Sequence, residues 1–162
     1  MDITMETMNG NEWLPGDTGT EIQNFWKEFK VNPTAMAGLQ SLMGLQPAIK
    51  NGSHYWRPSS ENGTTFTNSN SNISGVEKIF AWSKILNGQE ILCAINLDQH
   101  KQAIVYVTID KDLYAPDEKL YLLFGPQQIP AELNVEDRNG KSVRLTLPAR
   151  SLIIYGKAPI LR

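Results

Sequence analysis

From residue 53 onward the chain is a succession of short apolar runs that alternate with period two and are cut apart by turn residues. Successive side chains of a strand point to opposite faces, so this period marks strands rather than helices. Two Asn-Gly pairs sharpen the reading. Runs 78–86 and 89–97 flank Asn87-Gly88, and runs 133–136 and 142–147 flank Asn139-Gly140. Both central residues of the favoured two-residue hairpin turn need positive φ, which Asn and Gly tolerate best. Further runs at 54–57, 102–109, 120–124 and 151–155 complete an expectation of six to eight short strands. Strands and helices do not alternate, so nothing argues for a parallel sheet. The expected fold is mainly β, an antiparallel β-sandwich of Greek-key type.

Helical patterns are confined to the region before Pro47. Ile22, Phe25, Trp26 and Phe29 recur at i, i+3, i+4 and i+7, and Thr20 with Gln23 forms a capping-box pattern. Met36, Leu39, Leu42 and Met43 share one face of a second helix, expected from Thr34, that Gly38 and Gly44 weaken. The expected organisation is an N-terminal arm with one or two helices over 1–47, followed by a sandwich over 48–162. Residues 1–19 read as irregular. Residues 59–75 are nearly all Ser, Asn, Gly and Thr, with Phe66 and Ile73 as the only anchors, and are expected to form a long mobile surface loop.

Composition removes several function classes. Of 162 residues, 15 are Lys or Arg and 17 are Asp or Glu, without a basic cluster, so no electrostatic case exists for nucleic acid or an anionic membrane. No window has the length of a transmembrane helix. The first ten residues, MDITMETMNG, are acidic and lack the apolar core of a secretory leader, and a soluble protein of unspecified compartment is expected. Cys93 is the sole cysteine and sits in an apolar run, where a small buried side chain is expected. Asp110, Asp112 and Asp117 lack the glycine and distal glutamate of an EF-hand loop, and no pattern calls for a metal or cofactor. The Asp and Glu side chains from Glu77 to Asp137, Glu90 among them, are read as solvated carboxylates at strand ends and in loops. Asn51, Asn62 and Asn72 match the N-glycosylation pattern, which an Asn/Ser-rich stretch produces by chance.

Five pieces of the chain, in order, resemble the tail of an α-amylase-family glycoside hydrolase. LQPAIKNG is similar to the end of that family's last barrel helix, and YWRP to the strand that follows. FAWSKILNGQE resembles its first long hairpin, ILCAINL a strand ending on asparagine, and LPARSLIIY the closing strand. The resemblance covers residues 36–157, about three quarters of the chain. The family's basic helix face is replaced by Gln40, Ser41, Gly44 and Gln46, so this helix is expected to pack differently. The resemblance implies an accessory, non-catalytic C-terminal sandwich that packs on a barrel, in a parent glycoside hydrolase or transglycosylase. Retaining hydrolysis needs two carboxylates about 5–5.5 Å apart, which this family carries on a barrel of roughly 250 residues. None of its catalytic blocks occurs in this chain, so no residue here inherits a catalytic role.

Two sets of residues are the candidates for contact. Ile22, Phe25, Trp26, Met36, Leu39, Leu42 and Met43 form apolar helical faces that need cover, from the sandwich itself, a catalytic barrel or a second copy. Tyr55 and Trp56 are adjacent on a strand and so face opposite ways; one of them is the candidate platform for an α-glucan oligosaccharide. That would suit the alternative reading, a stand-alone carbohydrate-binding module. Trp82 is expected in the core.

Overall fold

The computed structural model describes residues 19–68 and 78–157. Trp13, Asn72 and residues 69–75 of the expected mobile loop lie outside the described residues. Three helices come first: α1 (Gly19–Lys30), α2 (Pro33–Leu45) and the single turn α3 (Ala48–Asn51). Nine strands follow: β1 (Ser53–Trp56), β2 (Ser59–Ser60), β3 (Ile79–Leu86), β4 (Gln89–Asn96), β5 (Ala103–Ile109), β6 (Lys119–Phe124), β7 (Glu132–Asn134), β8 (Lys141–Leu147) and β9 (Ser151–Gly156). They form two antiparallel sheets, one of six strands ordered β1-β3-β4-β9-β6-β7 and one of three ordered β2-β5-β8. The fold is a β-sandwich with a helical layer on the larger sheet.

Side-chain parity builds the three layers. On β3 and β4, Ile79, Ala81, Leu92 and Ala94 face the smaller sheet, where they meet Val105, Val107, Val143 and Leu145. Their neighbours Phe80, Trp82, Ile91, Cys93 and Ile95 face the other way, onto Ile22, Phe25, Trp26, Leu39, Leu42 and Met43. A strand covered on both faces needs a continuous apolar run, and ILCAI is that run. β5, open to solvent on one side, instead alternates Val105, Val107 and Ile109 inward with Ile104, Tyr106 and Thr108 outward. Cys93 is fully buried, and burial pushes its thiol up to about 12. It is a packing residue, not a nucleophile.

Local chemistry explains the element ends. Asn32 caps α2 by accepting a hydrogen bond from the Ala35 N–H at 3.1 Å, and Pro33 occupies the first turn, where its missing N–H costs nothing. The helix therefore starts one residue earlier than expected. Pro47 ends it and opens α3, which the sequence pattern did not indicate. Asn87 and Gly88 have φ of 52° and 77°, the values that the β3–β4 turn requires.

Two expectations need correction. Ser59 and Ser60 are not part of a surface loop; both are buried and pair with Val107 and Tyr106 as β2. The turn after them is held by Asn62, whose Oδ1 accepts from the Thr64 and Thr65 N–H groups at 2.8 and 2.9 Å. The second Asn-Gly turn, with φ of 48° and 90°, reverses the chain but does not join a two-stranded ladder. β7 pairs with β6 in the larger sheet and β8 with β5 in the smaller, leaving only the bridge Glu136–Ser142 across the turn. The turn dictates a reversal; burial of Leu133 and Leu145 in the same core decides the partners.

Candidate functional site

The edge strand β1 carries the candidate aromatics. Tyr55 lies opposite Ser83 of β3, and Trp56 opposite Trp82. Trp56 turns toward the helical layer. It is half-buried, 5.1 Å from the His54 ring and 6.3 Å from Trp82, both edge-on. Tyr55 turns the other way and is 46 % exposed. The Arg57 guanidinium lies 5.4 Å from the centre of its ring.

Beneath Tyr55 is a buried polar network that sequence reasoning missed. Glu90, the second residue of β4, is fully buried. Its Oε2 accepts from Arg57 Nη2 at 3.0 Å and from Ser83 Oγ at 2.5 Å. Its Oε1 accepts from Tyr114 Oη at 2.8 Å, and the Asp110 N–H lies 3.2 Å from both oxygens. Arg57 Nε also donates to Ser83 at 2.8 Å. Burial, then the adjacent Glu90 carboxylate, pushes the Tyr114 phenol far above its ordinary value, so it stays a donor. Lys157 Nζ lies 5.8 Å from the Tyr114 ring centre and 3.8 Å from Glu118. Glu90 is thus not the solvated strand-end carboxylate that its sequence context suggests. Parity could have found it, because Leu92 and Ala94 on the same strand face the core.

This arrangement orients rather than reacts. Every lone-pair direction of Glu90 is occupied, so it is not poised to take a proton from a substrate. Its effect is to fix Arg57, and Arg57 in turn backs the Tyr55 ring. The result is an exposed aromatic ring with a guanidinium held against it. Among the described residues no group of three His, Cys, Asp or Glu side chains is placed to hold a metal.

The other candidates are brought together on the far side of the larger sheet. Ile22, Phe25, Trp26, Leu39, Leu42 and Met43 are all under 5 % exposed, and Met36 packs half-buried against them. Those faces are covered by this chain's own sheet. A second polar tie secures them: Arg150 donates through Nε and Nη2 to Glu28 at 3.0 and 2.8 Å and through Nη1 to the Leu97 carbonyl at 3.0 Å. The hydrogen bond to Arg150 holds the Glu28 carboxyl below its ordinary value. A carboxyl lowered by folding stabilises the fold above its unfolded pKa, and that stabilisation is lost as pH falls through the folded one. The stability difference between wild type and Glu28→Gln is therefore expected at neutral pH and should vanish in acid. Urea titrations at a series of pH values measure it, and a difference that persists in acid would mean that Glu28 acts by packing.

What the helical layer presents outward is a different surface. No residue from 31 to 49 carries a charge. Ala37, Gly38, Gln40, Ser41, Gly44 and Leu45 of α2 are exposed, with Leu45 at 57 % and Val31 at 80 %. The outward face is thus free of charge, with Gln40 and Ser41 set among small residues and Leu45.

No protein-family profile and no characterised protein sequence matches the chain. Solved structures do. A debranching enzyme from Nostoc punctiforme is 20 % identical over 75 % of this chain and 20 % of its own, with a TM-score of 0.50. The cyclomaltodextrin glucanotransferase CldA is 18 % identical over 78 % of this chain and 22 % of its own, at 0.50. The maltogenic α-amylase AmyB from Thermotoga neapolitana is 11 % identical over 78 % of this chain and 25 % of its own, at 0.51. The chain thus matches only about a fifth to a quarter of the length of these structures. Its fold is one that α-amylase-family enzymes contain as a part, in agreement with the resemblance carried by residues 36–157.

Proposed function

We propose that this chain is a non-catalytic accessory domain of an α-amylase-like carbohydrate-active enzyme, in which it packs on a barrel and stabilises it. The observation that carries the reading is the charge-free outward face of α2 with Leu45 exposed, and Val31 exposed in the turn before it, on a fold that such enzymes contain as one part of a longer chain. Covering an exposed Leu or Val contributes about 1.5–3 kcal/mol each when fully buried, and no ionic group on 31–49 has to be desolvated. The sandwich holds the helical layer from behind, so the face is presented as a preformed surface.

The reading assigns hydrolysis elsewhere. Purified protein incubated with starch and maltooligosaccharides is expected to release no reducing sugar. Release that scales with protein concentration and survives repurification would overturn it.

A second reading, a carbohydrate-binding module in its own right, draws on the exposed Tyr55 face backed by Arg57. Tyr55→Ala should change stability by no more than about 0.5 kcal/mol, whereas Trp56→Ala should lose about 2 kcal/mol, because the indole fills space beside Trp82. Maltooligosaccharide titration followed by side-chain NMR separates the readings. Shifts at Tyr55 that the alanine variant abolishes favour the module; no shift at millimolar ligand leaves the accessory role alone.

A further inference from the structure

The sequence contains five Asn-Gly pairs, and four of them, at Asn51, Asn62, Asn87 and Asn139, lie in the described residues. This dipeptide is the one most open to intramolecular deamidation, because glycine leaves the following backbone nitrogen unhindered. That nitrogen attacks the Asn side-chain Cγ, the Cγ–Nδ2 bond breaks, and ammonia leaves with the amide proton. Water then opens the succinimide at either carbonyl, giving aspartate or isoaspartate. No oxidant, metal or second protein is required.

The four pairs are not equivalent in the fold. At Asn51-Gly52 the attacking nitrogen is engaged, since the Gly52 N–H donates to the Ala48 carbonyl at 2.8 Å, and the site is crowded by Ile85 backbone. At Asn62-Gly63 the Gly63 N–H donates to Ser60 Oγ at 2.9 Å, while Asn62 Oδ1 holds two backbone N–H groups. At Asn139-Gly140 the leaving amide is engaged, donating to Thr108 Oγ1 at 3.1 Å. At Asn87-Gly88 both residues are exposed, neither the amide nor the Gly88 N–H makes a hydrogen bond among the described residues, and the space beside Gly88 Cα is open.

We propose that, of the four Asn-Gly pairs among the described residues, Asn87 is the one that deamidates in the folded protein, an age-dependent modification at the tip of the central β3–β4 hairpin. Its isoaspartate product adds a backbone carbon to a two-residue turn whose φ values are fixed by the ladder on either side. This inference is independent of the proposed function. The test is peptide mapping by mass spectrometry after incubation of the folded protein at mildly alkaline pH, with a parallel sample unfolded in urea. In urea the four sites should convert at similar rates. In the folded protein Asn87 should convert about fivefold or more faster than Asn51, Asn62 and Asn139, the factor set by opening one intramolecular hydrogen bond. Asn87→Gln should remove the first product to appear among these four sites and leave the other three unchanged. Equal or faster conversion at any of the other three sites in the folded protein, or protection of Asn87 along with them, would overturn the proposal.

Discussion

Arg57→Ala is expected to be among the most damaging single substitutions in this chain, costing about 3–5 kcal/mol. The reason is the state in which it leaves Glu90. The carboxylate is fully buried, and the Arg57 guanidinium, with a side chain only 14 % exposed, is the one cation paired with it among the described residues. Removing the partner keeps the desolvation cost of the charge and discards the attraction that offset it. Ser83, Tyr114 and the Asp110 N–H still donate, but none carries charge. At about 2–4 °C per kcal/mol for a chain of this size, the melting temperature should fall by roughly 10 °C. Removing both charges in Arg57→Met/Glu90→Gln should recover much of the loss, because the double change leaves no ion unpaired. Thermal melts of the wild type and both variants measure this. A loss under about 1 kcal/mol for Arg57→Ala would show that water reaches Glu90 and that the network does not hold the sandwich end together.

Trp26→Ala should cost a similar amount, about 3–5 kcal/mol, through the cavity it leaves. Trp26 is 1 % exposed, with Phe25 and Phe29 both edge-on to it. It belongs to the same packed cluster as Phe80, Trp82 and Cys93 on the larger sheet. The loss should therefore reach the sandwich and not stop at the helices. In urea the variant should unfold in one transition at lower midpoint, with amides of β3 and β4 losing hydrogen-exchange protection together with those of α1. A helical signal that melts first, leaving β3 and β4 as protected as before, would show that the helices are an appendage.

The strands were legible because their signal is local. Period two and Asn-Gly identify β3, β4 and their turn without knowledge of anything distant, and apolar spacing identifies the buried faces of α1 and α2. What escaped was set by partners far along the chain. β2 is two serines in a polar stretch, made a strand only by the edge of β5. Glu90 looks like any strand-end carboxylate until Arg57, 33 residues before it, and Tyr114, 24 residues after it, converge on it. β7 and β8 follow a correct turn signal yet join different sheets, since a turn specifies reversal and the core specifies pairing. Of the candidate contact residues, the alternation of Tyr55 and Trp56 was readable; which of them meets solvent depended on the helical layer, and it is Tyr55.

The central claim, an accessory role within an α-glucan-active enzyme, is tested most directly by immunodepletion. An antibody raised against the folded chain is used to deplete extract of the source cells, and α-glucan hydrolysis is measured in the bound and unbound fractions. The account predicts that hydrolytic activity leaves with the chain, and that the chain purified by itself hydrolyses no α-glucan. Recovery of the chain by itself, with all of the activity remaining in the unbound fraction, would contradict it.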